Sequence, residues 1–164
     1  ACRRQRQMCI RDRLYELGLE YFIYEHPPLR TVEESKALRG EMHGGHTKNL
    51  FLRDKKKKNY LITVNENQKI DLKFLESELS TGRLSFGSPE RLSQFLGVKP
   101  GAVSPLALLN DKHNDVAFFI DHNLLSENIL NFHPLVNHLT VSIKVTDFKY
   151  FLKSQNKFYN EIYF

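Results

Sequence analysis

Apolar positions come in short runs, separated by glycine, proline and lysine punctuation, and their spacing changes along the chain. "LYELG" (Leu14 to Gly18) has helical spacing and stops at Gly18, and the aromatic run Tyr21 to Tyr24 reads as a strand that Pro27 and Pro28 terminate. "TVEESKALRG" predicts a helix capped by Thr31, with Glu33 and Glu34 in its first turn and Gly40 at its end. Beyond the Gly44-Gly45 corner, Leu50–Arg53 and Tyr60–Val64 predict two strands, with "DKKKKN" as the hairpin loop between them.

Leu72, Leu75 and Leu79 recur at helical spacing, and "GSPERLSQFLG" is a punctuated helix with Ser88 at the N-cap, Pro89 first and Gly97 past the end. "DVAFFID" has the profile of a buried strand, whereas the alternation in "LTVSIKV" predicts a strand covered on one face. The tail "VTDFKYFLKSQNKFY" reads as an amphipathic helix. Helices and strands mix without strict βαβ order, and neither a repeat nor a linker interrupts them. The expected architecture is one α+β domain with a mixed, largely antiparallel sheet.

Net charge changes this picture only at the N-terminus. Residues 1–13 hold five arginines against one aspartate, a net of +4, leaving nineteen basic and eighteen acidic side chains in the rest. Both cysteines, Cys2 and Cys9, also lie there. The segment lacks an initiator Met and apolar periodicity, so it is expected to be a non-native or disordered basic segment, with the domain over 14–164. The rival reading is a native arm that binds RNA. A nearly neutral body means that any anion site must come from a local cluster. Without cysteine, that body also holds no disulfide, zinc-thiolate site or cysteine nucleophile. No apolar run approaches the roughly 20 residues of a membrane helix, and no secretory h-region is present, so a cytoplasmic protein is expected.

Two chemical motifs dissolve on inspection. "GEMHGGHT" approaches a phosphate-binding loop, but His46 takes the lysine position and a helix pattern precedes it. His43 with His46, and His133 with His138, lack a metal-ligand spacing and a third carboxylate. Three others persist. Lys48-Asn49 opens a strand beside the glycine corner, where an ammonium suits a phosphate or carbonyl oxygen. "GAVSP" (Gly101 to Pro105) is a plain turn or a loop presenting main-chain groups to a water and an oxyanion. In "NFHPL", Asn131 and His133 would share one face of a strand.

In order, "EHPPLRTVEES", "GGHTKNLFLRDKK", "RLSFGSPERL", "LGVKPGAVSPLALLND" and "NFHPL" resemble the YbaK-type free-standing aminoacyl-tRNA deacylases, relatives of the editing domain of bacterial prolyl-tRNA synthetases. The resemblance runs from about Leu14 to the last helix and is greatest to the branch that clears alanine from tRNA(Pro). It implies hydrolysis of the ester of a mischarged tRNA by water, without cofactor, metal, DNA or membrane, and with prolyl-tRNA synthetase as a transient partner. Cys-tRNA(Pro) and a non-catalytic aminoacyl-tRNA-binding module remain alternatives.

By the same resemblance, Lys48 clamps the aminoacyl end by its carbonyl or the terminal phosphate, and the loop holding Gly101, Ser104 and Pro105 lines the catalytic centre. His26, Thr31, Val32, Asn49, Phe51, Asn131 and His133 would shape the pocket, and Arg83 would contact the acceptor stem. Gly87 departs from the family pattern, where a small residue such as alanine is common.

Overall fold

The computed structural model describes residues 3–25, 44–132 and 139–164. Helix α1 (Arg3–Glu16) leads into strand β1 (Tyr21–Glu25), and β2 (Gly45–Arg53) and β3 (Asn59–Asn65) form a hairpin. Helix α2 (Leu72–Glu78), β4 (Ser85–Phe86) and α3 (Pro89–Leu96) follow. A 3-10 segment, Pro105–Asn110, precedes β5 (Val116–Asp121), and a second, His122–Ser126, precedes β6 (Ile129–Phe132). The order continues with β7 (Leu139–Lys144), α4 (Val145–Ser154) and β8 (Asn160–Ile162). The helix expected at Thr31 to Gly40 and the Pro27-Pro28 stop lie outside the described residues.

The strands form one mixed sheet in the order β1-β7-β6-β2-β3-β5-β8, with the short β4 also on β2. Pairings β1–β7, β6–β7, β2–β3 and β2–β4 are antiparallel, whereas β2–β6, β3–β5 and β5–β8 are parallel. The α+β expectation holds. One face carries the larger core, in which Leu61, Phe118, Phe132 and Val141 meet Ile10 and Leu14 of α1, Leu92 and Leu96 of α3, and Phe148 and Phe151 of α4. Against the other face, α2 sets Leu75 beside Leu52, Ile62, Val64 and Ile162. With both faces covered, six consecutive residues of β3, Asn59 to Val64, are buried.

Local chemistry explains the helix ends. Asp71 caps α2 by accepting from Lys73 N–H at 3.0 Å, and Ser88 caps α3 by accepting from Arg91 N–H at 3.3 Å. Gly97 closes α3 in the left-handed region at φ 66°, as the glycine in that position foretells.

Helix α1 spans the boundary drawn at Leu14 and buries Ile10 at 0% exposure. Three expectations need correction. Strand β2 begins at Gly45, five residues early, because it pairs there with Leu130. The tail helix stops at Ser154: Asn156 turns at φ 56° and Lys157 N–H closes on Leu152 O at 2.8 Å, which frees β8 to join β5. Finally, β7 is covered beyond its apolar face, since Ser142 is buried at 4% exposure.

Candidate functional site

Strand β2 is the spine of the site: among the described residues, one of its edges is interrupted. β3 lines one edge from Thr47 to Arg53, but on the other, β6 pairs only with Gly45 and His46 and β4 only with Leu52 and Arg53. Between them, among the described residues, no strand pairs with Thr47 to Phe51. Phe51 O accepts from Gly87 N–H at 2.8 Å, and strand alternation sends the main-chain N–H and C=O of Asn49 to the same edge.

The Gly44-Gly45 corner brings the start of β2 against β6. Gly44 sits at φ 102°, and a Cβ there would stand 2.7 Å from Ile129 O. The close approach is thus to a neighbouring strand.

Side chains leave β2 alternately for the two faces. Lys48 pairs across with Val64 and shares its face with Leu50 and Leu52. Glu66 N–H donates to His46 O at 2.9 Å, extending the hairpin so that the nearly buried Glu66 carboxylate stands on the Lys48 side. Burial pushes the Lys48 ammonium below its ordinary pKa of 10.5, and the Glu66 charge opposes part of that shift. The result is a partly dehydrated cation beside an open sheet edge.

Asn49 points to the opposite face, where its Oδ1 accepts from the Thr63 hydroxyl at 2.5 Å and its Nδ2 donates to Val103 O at 2.9 Å. That second bond ties the Gly101–Pro105 loop to the interrupted edge. Gly101 supplies the exposed bend at φ 89°, and Ala102 N–H closes it on Lys99 O at 3.1 Å. Ser104 is fully buried, its Oγ accepting from Leu106 N–H at 3.1 Å, and Pro105 starts the 3-10 segment. The side chains of Ser104 and Pro105 therefore hold the loop, and the main chain is what it offers. Lys48 and the loop approach the same stretch of β2 from opposite faces and can meet one ligand only across its open edge.

Asn131 lies across from His46 on the face of Lys48 and is 4% exposed. Its Oδ1 accepts from the Ser142 hydroxyl, its Nδ2 donates to Gly45 O at 3.3 Å, and its main-chain O accepts from the Thr47 hydroxyl at 2.8 Å. It fastens β6 and β7 to the start of β2, a positioning role one strand away from the gap. His26, Thr31, Val32 and His133 lie outside the described residues.

Phe51 is placed differently from its expected role as a pocket wall. It faces away from Lys48, is 4% exposed and packs in the larger core. Its ring explains Gly87: a Cβ there would lie 2.4 Å from Phe51 Cδ1. Gly87→Ala should therefore cost about 1–3 kcal/mol through overpacking. Urea unfolding of that variant measures the loss, and adding Phe51→Leu should restore part of it.

Arg83 is exposed beside β4, at the far end of β2 from Lys48. Sequence reasoning missed Glu66, Thr63, Thr47 and Ser142. For Thr63 the signal was a lone hydroxyl in an apolar strand; for Glu66, a carboxylate two residues past Val64, on the same face when the strand period is continued. Among the described residues, no three His, Cys, Asp or Glu side chains gather as a metal site, and no helix is long and apolar enough to cross a membrane.

Comparison with known proteins shows the family. Residues 26–151 match the model of the aminoacyl-tRNA editing domain. The prolyl-tRNA editing protein ProX of Acetoanaerobium sticklandii is 36% identical over 151 residues, which cover 92% of each chain. The prolyl-tRNA synthetase associated domain-containing protein 1 of Mus musculus is 36% identical over 150 residues, 88% of each chain. A crystal structure of a candidate trans-editing enzyme for prolyl tRNA synthetase superposes with a TM-score of 0.70 at 19% identity, covering 98% of this chain and 96% of that one. At that identity the superposition speaks for the fold.

Proposed function

The chain belongs to the aminoacyl-tRNA editing domain family and is an aminoacyl-tRNA deacylase acting on mischarged tRNA; from this premise we propose that its substrate is Ala-tRNA(Pro) and that the interrupted edge of β2 is where the ester is cleaved. The observation that carries the site is a partly dehydrated Lys48 beside main-chain groups that no strand among the described residues occupies.

In this reading the aminoacyl end enters the gap with Lys48 on one side and the Gly101–Pro105 main chain on the other. The ammonium polarises the ester carbonyl or holds the terminal phosphate. N–H groups of the open edge face the oxygen that gains charge as water attacks. Water is the attacking group in this reading, and three hydroxyls near the edge are already donors to other groups. Those of Thr47 and Ser142 donate to Asn131, and that of Thr63 donates to Asn49. Size selection follows the fine-sieve logic of editing, in which only a side chain small enough to enter is cleaved. A transient complex with prolyl-tRNA synthetase would bring newly charged tRNA to the site.

The test is deacylation of Ala-tRNA(Pro), with Pro-tRNA(Pro) and Cys-tRNA(Pro) alongside. Rapid loss of alanine alone is the expected result. Preferential loss of cysteine would move the assignment to Cys-tRNA(Pro), and survival of all three esters would overturn the reading.

Lys48 also fixes a pH dependence. The clamp needs the ammonium, and burial makes it release its proton below the ordinary 10.5. The enzyme-dependent rate should accordingly fall on the alkaline side earlier than an unperturbed lysine would dictate. Because Glu66 raises the Lys48 pKa, Glu66→Gln should move that limb to still lower pH. A pH-rate profile of both proteins, corrected for spontaneous ester hydrolysis, checks the sign.

A further inference from the structure

At the far end of β2 from Lys48, an exposed aromatic ring lies in the same strand hairpin region as a run of exposed cations. Phe86 is 61% exposed although it sits in strand β4 and pairs with Leu52. That register puts its side chain on the face of Leu52, Leu50 and Lys48, four residues along the strand from Lys48, a spacing of about 13 Å. Behind it, Leu84 N–H is held by Glu76 Oε1 at 2.9 Å and the Leu84 side chain is buried, so β4 is anchored while the Phe86 ring is left in water.

The cations come from the β2–β3 turn and from Arg83. Lys55, Lys56 and Lys57 are exposed, and the turn is locked: Asp54 Oδ1 accepts from Lys58 N–H at 2.9 Å and Asp54 Oδ2 from the Tyr60 hydroxyl at 3.1 Å. Burial and this carboxylate push the Tyr60 pKa up to about 12, so the phenol keeps the proton it donates. Arg91 adds a bond from its Nη2 to Lys57 O at 3.2 Å. The Lys55 side chain comes to within 3.8 Å of where a Gly82 Cβ would stand, which joins the lysine turn to the Arg83 segment. A solvated turn needs only charge. The backbone of this one is pinned by Asp54 and Arg91, next to the strand pair that carries Phe86.

We propose that Phe86 is a stacking platform for an unpaired nucleotide of the RNA end, with Lys55, Lys56 and Arg83 receiving the phosphates on either side. Single-stranded nucleic acid is bound by this pairing of an aromatic face with a basic track, because every base has a π-face and the backbone is anionic. The platform rests on the deacylase reading for its partner. It adds the route by which the strand leaves Lys48: along the open edge of β2, over Phe86, to the lysine turn.

Two measurements keep the platform separate from the reading beneath it. The first is binding of uncharged RNA stems, with and without an unpaired 3′ end, to wild type, Phe86→Ala, Phe86→Leu and Phe86→Trp. Wild type and Phe86→Trp should prefer the overhang, and Phe86→Ala and Phe86→Leu should lose about tenfold of that preference. The second is steady-state deacylation of the full aminoacyl-tRNA and of the same amino acid esterified to adenosine alone. Phe86→Ala should raise KM for the tRNA about tenfold with kcat nearly unchanged, and leave the adenosine ester unaffected.

Equal binding of both stems by wild type overturns the platform, as does equal loss on both substrates in Phe86→Ala, which would mark a structural role. If wild type prefers the overhang but cleaves neither ester, the deacylase reading fails and the platform stands. Replacing Lys55, Lys56 and Arg83 with glutamine should flatten the salt dependence of binding, and an unchanged slope removes them from the track.

Discussion

Lys48→Ala is expected to lower kcat/KM for the ester by on the order of 100- to 1000-fold, the usual effect of deleting one donor at a developing oxyanion. The structure separates this loss from any effect on folding. Burial holds the Lys48 pKa below 10.5, so the fold disfavours the charged form relative to the unfolded chain. The sign follows: at neutral pH the ammonium costs stability, and that cost begins to fade as pH passes the lowered pKa and is gone above the ordinary 10.5. Lys48→Met keeps the stem and drops the charge, so it should unfold no more readily than wild type while losing as much activity as Lys48→Ala. A guanidinium is planar and wider than an ammonium, so Lys48→Arg should recover little. Loss of stability in Lys48→Met would mean that the lysine serves the fold, and undiminished kcat/KM would remove it from the site.

Lys48 stood out by its neighbours in sequence; how it sits was not legible there. Lys48 and Asn49 are adjacent, yet the strand period sends them to opposite faces, one beside Glu66 and the other to Val103. The Gly101–Pro105 loop and Lys48 therefore meet on one strand from opposite faces, a relation set by how β3, β4 and β6 pair with β2. Strands of four and two residues carry almost no periodic signal, and their pairing partners are set by tertiary contact. The same holds for β8, whose three residues follow a helical pattern that Asn156 interrupts.

Elements with local chemistry were read correctly. Ser88, Pro89 and Gly97 state both ends of α3 without reference to the rest of the molecule, and "DKKKKN" forms the turn between β2 and β3. The segment 1–13 reads differently. Its arginines suggested exclusion from the fold, while one apolar residue, Ile10, on the same helix as Leu14 reaches the core. Composition averages over thirteen residues, whereas burial is decided at single positions.

Asp111→Ala should be among the most destabilising single changes in the chain, at about 3–5 kcal/mol. Asp111 is 3% exposed at the end of the 3-10 segment, where its carboxylate accepts from the N–H groups of Asp115 and Val116, each at 3.0 Å. Those two bonds turn the chain into β5. The Lys157 ammonium, its side chain only 8% exposed, stands 3.7 Å from the same carboxylate. It also donates to Asp111 O and, at 2.6 Å, to Asn114 Oδ1, so the approach to β8 is tied to the approach to β5. Removing the carboxylate orphans two main-chain donors and leaves a buried cation short of its counter-charge. Removing the cation instead, in Lys157→Met, leaves Asp111 with its two N–H partners and should cost less. The double variant should cost less than the sum of the two, because the second change no longer strands a charge. Urea unfolding of the four proteins measures this cycle, and an additive result would show that the pair contributes no coupling. Activity per folded molecule should be unchanged throughout, since neither residue touches the interrupted edge of β2.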